Sequence, residues 1–273
     1  MKTLPPGQSP PPIPELHLLR HRAESFGADA ELYDRTRDRY PQALVQRIIA
    51  ESPGPEVLDV GCGTGIAARQ FRAAGCTVLG VEPDARMARF ARGSGIEVEV
   101  ATFEAWDPSG RTFDAVIAGT AWQWVDPVAG AAKAAQVLRP GGRLAPFNHV
   151  IQVPPELAGA VAEAFHQVEP DWTFDLSVPA LDAFGQVLAS IAAGIRIAGQ
   201  FSEPEQWQFD WERTCSRDQL LDLLRTHGWF TQLPPGKLAQ VLAGVSPVID
   251  AIGGSATLTC ATVAVTAART GTP

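Results

Sequence analysis

The sequence is poor in cysteine and in basic charge, and each deficit excludes a class of protein. Four cysteines occur in 273 residues, with no CxxC pair and no histidine cluster at zinc spacing. This argues against a disulfide framework and a structural metal, and it fits a reducing cytoplasm. Lysine and arginine number 22 against 30 acidic residues, giving a net charge of -8. A nucleic-acid binder needs a basic stripe, so nucleic acid is not expected as a partner.

Signals for secretion or for a membrane span are also missing. The first residues show no basic region followed by an apolar stretch, as a signal peptide would. The longest uncharged run, between Asp250 and Arg269, is broken by Gly253 and Gly254 and is typical of a turn plus a buried strand. We therefore predict a cytoplasmic protein with no membrane partner.

The composition present, 45% hydrophobic and 19% charged, is that of a globular chain able to form one large α/β domain with a cap. Six of the first fourteen residues are proline, which disfavours helix and sheet. Residues 1–14 are therefore predicted to be a flexible leader, and residues 15–50 an N-terminal helical cap.

Residues 51–152 alternate between short apolar strands and amphipathic helices with brief connections. Strands are predicted at 57–60, 76–81, 96–101, 113–118 and 143–147. Such alternation is typical of a doubly wound parallel sheet, with ligands at the carboxyl ends of the strands.

The rhythm changes after residue 152. Residues 153–202 hold two alanine-rich helical stretches, 155–168 and 179–193, and are predicted to form a helical lid or substrate insertion. Residues 203–273 contain an alternating aromatic strand around Trp207, a capping box at Ser216 and a β-branched strand at 257–267.

A glycine-rich turn follows the first strand. Gly61, Gly63 and Gly65 alternate with other residues just before a helix, which lets the backbone approach a ligand closely. A nicotinamide-binding G-x-G-x-x-G turn would have its third glycine at position 66, where this chain has Ile66.

Glu82 ends the second strand, about 20 residues beyond the turn. A carboxylate there accepts hydrogen bonds from both hydroxyls of a ribose and repels a 2′-phosphate. Together with Asp59, which precedes the turn, these residues predict an adenosyl-type ligand.

The segments 58–65, 81–84 and 138–142 resemble the class I S-adenosylmethionine-dependent methyltransferases, in the small-molecule branch that includes trans-aconitate- and ubiquinone-pathway-type enzymes. The resemblance covers residues 26–150 well and implies a Rossmann-like sheet of seven strands, one of them reversed. Residues 203–273 then complete the sheet as strands six and seven. It also implies S-adenosylmethionine as cofactor and S-adenosylhomocysteine as product.

The resemblance implies roles for particular residues. Gly61, Gly63 and Gly65 pass close to the methionine part and ribose, Glu82 holds the ribose, and Asp59 orients the turn or the ligand ammonium. Cys62 is a small filler within the turn. The adenine is bordered by Pro83, Met87, Phe103 and Glu104, with Thr102 where many relatives have an aspartate.

The resemblance also implies that Tyr33 and Arg37 close over the cofactor. Arg37 is a candidate partner for the cofactor's carboxylate, and the alternative is an arginine on the surface of a helix.

Residues after strands four and five are candidates for the reaction site. Thr120 and Trp122 are predicted to contact the cofactor, since aromatic rings attract a sulfonium, although packing against the next helix is an alternative for the tryptophans. Acceptor binding is predicted for these residues: Gln123, Trp124, Asn148, His166 and Trp172. His149 is the candidate general base, through a near-neutral pKa, against a purely structural histidine.

The function predicted is methyl transfer to a small, partly hydrophobic acceptor such as a secondary metabolite. In-line displacement needs alignment more than a catalytic side chain, and no metal is expected. Three alternatives stay open: a cofactor-binding enzyme without methyl transfer, in a pericyclic or positioning role; a nicotinamide-dependent oxidoreductase; and a nonenzymatic partner-binding subunit.

Overall fold

A computed structural model describes residues 16–171, 178–228 and 230–271. The predicted leader, residues 1–14, and Trp172 lie outside the described residues. The strands are β1 Glu56–Val60, β2 Thr77–Val81, β3 Glu97–Glu99, β4 Phe113–Gly119, β5 Leu138–Gln152, β6 Glu205–Ser216 and β7 Ser255–Ala268.

The strands form one seven-stranded sheet in the order β3-β2-β1-β4-β5-β7-β6. All neighbours are parallel as far as β5, and β7 runs antiparallel to both β5 and β6. The doubly wound, mostly parallel sheet with one reversed strand, predicted from the sequence, is confirmed.

Helices connect the strands, and several begin where the sequence signals predicted. The helices are α1 Ala30–Thr36, α2 Gln42–Ala50, α3 Ile66–Ala73, α4 Ala85–Gly93, α5 Pro127–Val137, α6 Pro155–Val168, α7 Ala180–Ala198, α8 Arg217–Arg225 and α9 Pro235–Ala251. Asp126 caps α5 by accepting hydrogen bonds from the N–H groups of Val128 (2.9 Å) and Ala129 (2.8 Å). Ser216 and Gln219 form the predicted capping box of α8. Two 3₁₀ segments, Leu16–Asp29 and Trp122–Trp124, flank the sheet.

Helices cover both faces of the parallel part of the sheet. Leu44 of α2 and Phe71 of α3 are fully buried on one face, in a cluster that also contains residues of α4. On the other face α5 and α7 pack together over the strands, with Ile195 of α7 buried in the same cluster as Leu144 of β5. The helical cap predicted over 15–50 thus includes α2, whose apolar face belongs to the core.

The three strands at one edge of the sheet, β5, β7 and β6, are longer than the others and support a second helical layer. Strands β5, β6 and β7 have 15, 12 and 14 residues, whereas β1 has five. Helices α6, α8 and α9 enclose a separate apolar cluster against this extension. We call α6, α8, α9 and the strand ends beneath them the extension.

The segment predicted as a lid, residues 153–202, contains two helices with different surroundings. Helix α6 packs in the extension, while α7 lies against α5 in the main core. By length and composition α7 could cross a membrane. Its residues Val187, Leu188, Ile191 and Ile195 are buried against the sheet, whereas Ile197 is exposed.

Candidate functional site

The glycine turn joins β1 to α3 at the carboxyl end of the sheet. Gly61 and Gly63 have φ values of 63° and 56°, which disfavour other residues. A Cβ on Gly61 would lie 2.7 Å from the Cβ of Ala121, in the loop after β4, whereas a Cβ on Gly63 would meet nothing within 4 Å. Gly65 packs differently, since a Cβ there would lie 3.3 Å from Ala91. The turn is thus closed against protein at Gly61 and Gly65 and open at Gly63.

Glu82, at the end of β2, is bound to the glycine turn. Its Oε2 accepts a hydrogen bond from the N–H of Gly63 and its Oε1 from the N–H of Asp84, both at 2.8 Å. Burial raises the pKa of Glu82 to about 7. Each carboxylate oxygen retains a second lone pair, so this fixed carboxylate can accept hydrogen bonds from a pair of ligand hydroxyls beside the open Gly63.

Asp59, the third residue of the site, is 1% exposed. The backbone N–H of Ala68 faces this carboxyl, but among the described residues neither carboxylate oxygen has a hydrogen-bond partner of normal distance and angle. Burial, with a contribution from the charge of Glu82, raises the pKa of Asp59 to about 8. The Thr64 hydroxyl, in the same turn, is also buried without such a partner. Buried groups left in this way favour a ligand with a cationic hydrogen-bond donor.

Three further residues of the predicted cofactor site, Cys62, Pro83 and Met87, differ in how far they are exposed. Cys62 is buried, and a Cβ on Gly80 would touch its Sγ at 2.6 Å, so the thiol fills space over β2. Burial holds the pKa of the Cys62 thiol well above its usual range, which makes it a poor nucleophile. Pro83 is exposed and Met87 is buried.

The loop after β3 is more internal than the sequence suggests. Phe103 is buried, with its ring centroid 6.4 Å from that of Trp106 and 6.0 Å from that of Trp122, so it packs in the core. The carbonyl of Thr102 accepts a hydrogen bond from the N–H of Trp106 (2.9 Å), which shapes the loop. Glu104 accepts one from the N–H of Asp126 (3.1 Å) and ties the loop to α5.

The loop after β4 begins with a strained residue. Thr120 has φ 56°, an uncommon value for a residue with a side chain. Its N–H donates to the carbonyl of Phe147 (2.7 Å), and its hydroxyl lies 3.1 Å from the hydroxyl of Tyr40. Gln123 donates from Nε2 to the Thr120 carbonyl at 3.1 Å. The Thr120–Phe147 contact fixes the end of β4 against the middle of β5.

Two side chains of this loop keep buried polar atoms without a hydrogen-bond partner among the described residues: Nε1 of Trp122 and Oε1 of Gln123. Trp122 is fully buried in the core cluster of α5 and α7, where a Cβ on Gly130 would lie 3.3 Å from its ring. Trp124 is partly exposed and meets Phe26, with ring centroids 6.4 Å apart.

Tyr33 and Arg37 lie in the segment that joins the N-terminal cap to the extension. The Arg37 guanidinium lies 4.6 Å above the Tyr33 ring centroid. Its Nη1 donates to the hydroxyl of Thr226, at the end of α8, at 3.0 Å. In this arrangement the Arg37 side chain fastens the cap to α8, and Tyr33 lies against Phe26 at 5.7 Å between ring centroids.

His149 is enclosed rather than open to the site. Its ring stacks on that of Tyr40, with centroids 4.4 Å apart and an interplanar angle of 18°, and meets Trp211 edge-on at 5.2 Å. Its Nδ1 lies 2.9 Å from the hydroxyl of Thr262. Burial lowers the pKa of His149 to about 4, which differs from the near-neutral value expected from the sequence. At neutral pH the ring is uncharged and a weak base.

The predicted acceptor-binding residues are only partly brought together. The sequence predicted that strand five ends at residue 147, but β5 continues to Gln152, so the 1% exposed Asn148 lies within the strand, beside the loop after β4 that carries Gln123 and Trp124. His166 is exposed on α6 and is not part of this group. Trp172 lies outside the described residues.

Some contributors were not predicted from the sequence. Tyr40 links Thr120 to His149, and Arg213 donates to Asp38 at 2.6 Å, which fastens the segment before α2 to β6. Arg69 of α3 pairs with Asp34 of α1 at 2.5 Å. The only sequence signal for Tyr40 is its position before Pro41 at the start of α2, since its partners are far away in the chain.

No group of three or more metal-ligating side chains occurs within residues 16–171, 178–228 and 230–271, and metal independence stays a prediction. An open groove of about 440 Å³ lies at the opposite, amino end of β1 and β2, lined in part by Glu56, Arg111 and Arg139. Ligands of open α/β sheets bind at the carboxyl ends, where the glycine turn and Glu82 lie.

Comparisons with known proteins find a methyltransferase domain in the part of the chain that contains the glycine turn and Glu82. Residues 57–142 match a family described as a methyltransferase domain. The chain is 34% identical over 128 residues to an uncharacterized methyltransferase of Mycobacterium tuberculosis, which covers 46% of this chain and 52% of the relative. It is 31% identical over 147 residues to a demethylmenaquinone methyltransferase of Tropheryma whipplei, covering 48% and 62%. The chain thus spans a little over half the length of these relatives.

A solved structure resembles the fold over most of its length. The protein, from Anaeromyxobacter dehalogenans and provisionally assigned as a type II methyltransferase, superposes with a TM-score of 0.61 at 25% identity. The superposition covers 86% of this chain and 97% of that chain. The likeness therefore extends well beyond the segment that matches the domain family.

Proposed function

We propose that this chain, a member of the class I S-adenosylmethionine-dependent methyltransferases, transfers a methyl group to a small-molecule acceptor and releases S-adenosylhomocysteine. The observation that carries the proposal is the paired carboxyls at the ends of β1 and β2. Glu82 is fixed to the glycine turn at 2.8 Å, and buried Asp59 has no partner of normal geometry among the described residues. This set suits a ligand with ribose hydroxyls and a cationic group.

The residues present fit S-adenosylmethionine. Glu82 would hold the ribose, Gly63 would allow close approach of the backbone, and Asp59 would face positive charge. When bound, this cofactor supplies an electrophilic methyl group on a sulfonium. The partly exposed rings of Tyr33 and Trp124, both in contact with Phe26, would cover the site and exclude water.

Alignment of the acceptor is the main task left to the chain, because displacement at a sulfonium needs little proton transfer. The Tyr40–Thr120 contact of 3.1 Å fixes the loop after β4, and the His149 ring stacks on the ring of Tyr40. A neutral, stacked His149 fits positioning of this loop better than proton abstraction.

The acceptor we propose is a partly hydrophobic small molecule, such as a secondary metabolite, methylated in the cytoplasm. Apolar residues of α7 and β5 near the ends of the strands, including Val150 and Leu188, support the apolar part. The demethylmenaquinone methyltransferase of Tropheryma whipplei is named for a small-molecule acceptor. The four cysteines are unpaired, which supports a reducing compartment.

Titration of the purified protein with S-adenosylhomocysteine, and separately with NAD⁺, tests the proposal. We expect micromolar binding of S-adenosylhomocysteine alone. Glu82→Gln should weaken it about 10- to 100-fold, because hydrogen bonds to a charged carboxylate are lost. Glu97→Gln, at an exposed position on β3, is the control and should leave the affinity unchanged.

Binding of NAD⁺ alone would contradict the proposal and favour an oxidoreductase. A different outcome would be that S-adenosylhomocysteine binds, but S-adenosylmethionine is not consumed while the acceptor is converted. This outcome would favour the positioning enzyme without methyl transfer. A protein that binds neither compound would favour the nonenzymatic subunit.

A further inference from the structure

Asn148 is the only asparagine in the chain. It is 1% exposed, and among the described residues neither Oδ1 nor Nδ2 has a hydrogen-bond partner. Most buried side-chain polar atoms in folded proteins are hydrogen-bonded. A purely structural role therefore does not explain a buried amide whose oxygen and nitrogen both lack a partner among the described residues. A ligand that offers both a donor and an acceptor would satisfy it.

The position of Asn148 places this amide in the crevice. Phe147, the preceding residue, accepts the N–H of Thr120 at 2.7 Å, so Asn148 lies beside the strained loop after β4. That loop contributes two further uncharged atoms without partners among the described residues, Nε1 of Trp122 and Oε1 of Gln123. The end of β4 and the neighbouring part of β5 therefore offer neutral hydrogen-bonding groups.

The wall around this amide is apolar. Alternate residues of a strand share one face, so Asn148 shares its face of β5 with Val150. Val150 is buried in the cluster that contains Val187 and Leu188 of α7. Across the sheet Asn148 is paired with Val263 of β7, a member of the same cluster. One amide in an apolar surface recognises a single polar group on a largely apolar molecule.

Four of the five arginines in or next to the cap segment 35–39 are already paired with carboxylates. The arginines of the cap segment 35–39 and those that contact it each have protein partners: Arg35 with Asp222, Arg37 with Thr226, Arg39 with Asp34, Arg69 with Asp34, and Arg213 with Asp38. A carboxylate or phosphate on the acceptor would need one of these contacts to break, and its desolvation would otherwise be uncompensated.

We propose that Asn148 is the specificity-determining residue for the acceptor, binding a hydroxyl, carbonyl or amide of an uncharged, largely apolar molecule and discriminating against anionic acceptors. This inference rests on the proposed function, because it assigns the acceptor side of the same site.

The test uses two matched pairs of probes and the complex with S-adenosylhomocysteine. The pairs are 4-hydroxyphenylacetamide with 4-hydroxyphenylacetate, and 6-hydroxy-2-naphthamide with 6-hydroxy-2-naphthoate, titrated at pH 7.5 and followed by ligand-observed NMR. We expect the neutral member of each pair to bind at least tenfold more tightly than the acid.

Asn148→Leu, similar in size but apolar, separates recognition from structure. We expect the affinity for the neutral probes to fall about tenfold while that for S-adenosylhomocysteine stays within threefold. The melting temperature of the ligand-free protein should rise by about 2 to 4 °C, because an unsatisfied amide is replaced by an apolar group. Asn148→Asp, as a second variant, should weaken binding of both members of each pair, and Gln206→Glu on the exposed face of β6 is the control.

Equal or tighter binding of the acids by the wild-type complex would overturn the assignment, as would binding of no probe. A lower melting temperature of Asn148→Leu with unchanged probe affinity would show that the amide is structural. Failure of the wild type to bind S-adenosylhomocysteine is a different outcome, since it would remove the proposed function itself.

Discussion

The two halves of the crevice both bury polar groups, but they bury opposite kinds. At the ends of β1 and β2 these are carboxyls, and burial raises the pKa of Asp59 to about 8 and that of Glu82 to about 7. In the part of β5 beside the end of β4 they are the Asn148 amide and the His149 imidazole, whose pKa burial lowers to about 4. The first half is prepared for positive charge, and the second stays uncharged, as an apolar acceptor requires.

This difference gives the two halves opposite effects on stability as the pH changes. Asp59 and Glu82 have folded-state pKa values above those of the unfolded chain, so their contribution is full at low pH and is lost as the pH rises towards 8. His149 has a folded-state pKa below its unfolded value, so its contribution is lost as the pH falls from about 6.5 to 4. Above about pH 6.5, where only the carboxyls still titrate, the stability of the ligand-free protein should therefore fall as the pH rises towards 8.

The largest expected effect comes from closing the cofactor half. Gly61→Ala places a Cβ 2.7 Å from that of Ala121 at a φ of 63°, so the β4 loop must move. We expect the affinity for S-adenosylhomocysteine, measured by titration calorimetry, to fall about 100-fold, as for a displacement of about 1 Å in a site.

Gly75→Ala is the matched control for this change. Gly75 has a φ of 97°, but a Cβ there would meet nothing within 4 Å. It should cost about 1–2 kcal/mol in urea unfolding and leave the affinity unchanged. Equal loss of affinity in both variants would mean that backbone strain, and not closure of the turn, is responsible.

The next largest effect is expected at Asp59, in the pH dependence of stability. Asp59→Asn removes one group that takes up a proton on folding, so the free energy of unfolding should fall less steeply with pH. Between about pH 5 and 8 the slope should decrease by up to about 1.4 kcal/mol per pH unit. Urea unfolding across this range measures it, with exposed Asp210→Asn as the control. An unchanged slope would show that Asp59 is ionised in the empty site.

The smallest effect is expected at His149, in the half of the crevice formed by β4 and β5. His149→Phe keeps a ring on Tyr40 but loses the contact with Thr262, at a cost of about 0.5–1.5 kcal/mol at pH 7. Stability should then decline less between pH 6.5 and 4, because no buried imidazole needs to stay neutral. Urea unfolding at these pH values measures both, and His166→Phe on the exposed side of α6 is the control. A histidine signal of the wild type that titrates near neutrality, absent in His149→Phe, would restore His149 as a candidate base.

The cofactor half was largely predictable because its signals are local. The glycine turn occupies residues 61–65, and the caps Asp126 and Ser216 act within three residues of their partners. Glu82 follows from the alternation of strands and helices, since consecutive parallel strands bring their carboxyl ends together. Local signals thus predicted the glycine turn, the carboxyls and the parallel part of the sheet, whereas the reversed strand was implied by the family resemblance.

The acceptor half was less predictable because its contacts join distant residues. Tyr40 meets Thr120 over 80 positions, and Arg37 meets Thr226 over 189. The pKa of His149 depends on Tyr40 and Trp211, from two other elements, which enclose it. The apolar pattern of α7 likewise fits a lid or a core helix, and only its packing against α5 distinguishes the two.

The place of β7 in the sheet has a consequence for biosynthesis. Strand β6 pairs along its whole length with β7, which lies between it and β5 but is the last strand in the chain. During translation the twelve residues of β6 therefore leave the ribosome before their partner is made. For this interval the nascent chain presents unpaired edges on both β5 and β6, which is when it is most exposed to aggregation and most dependent on chaperones.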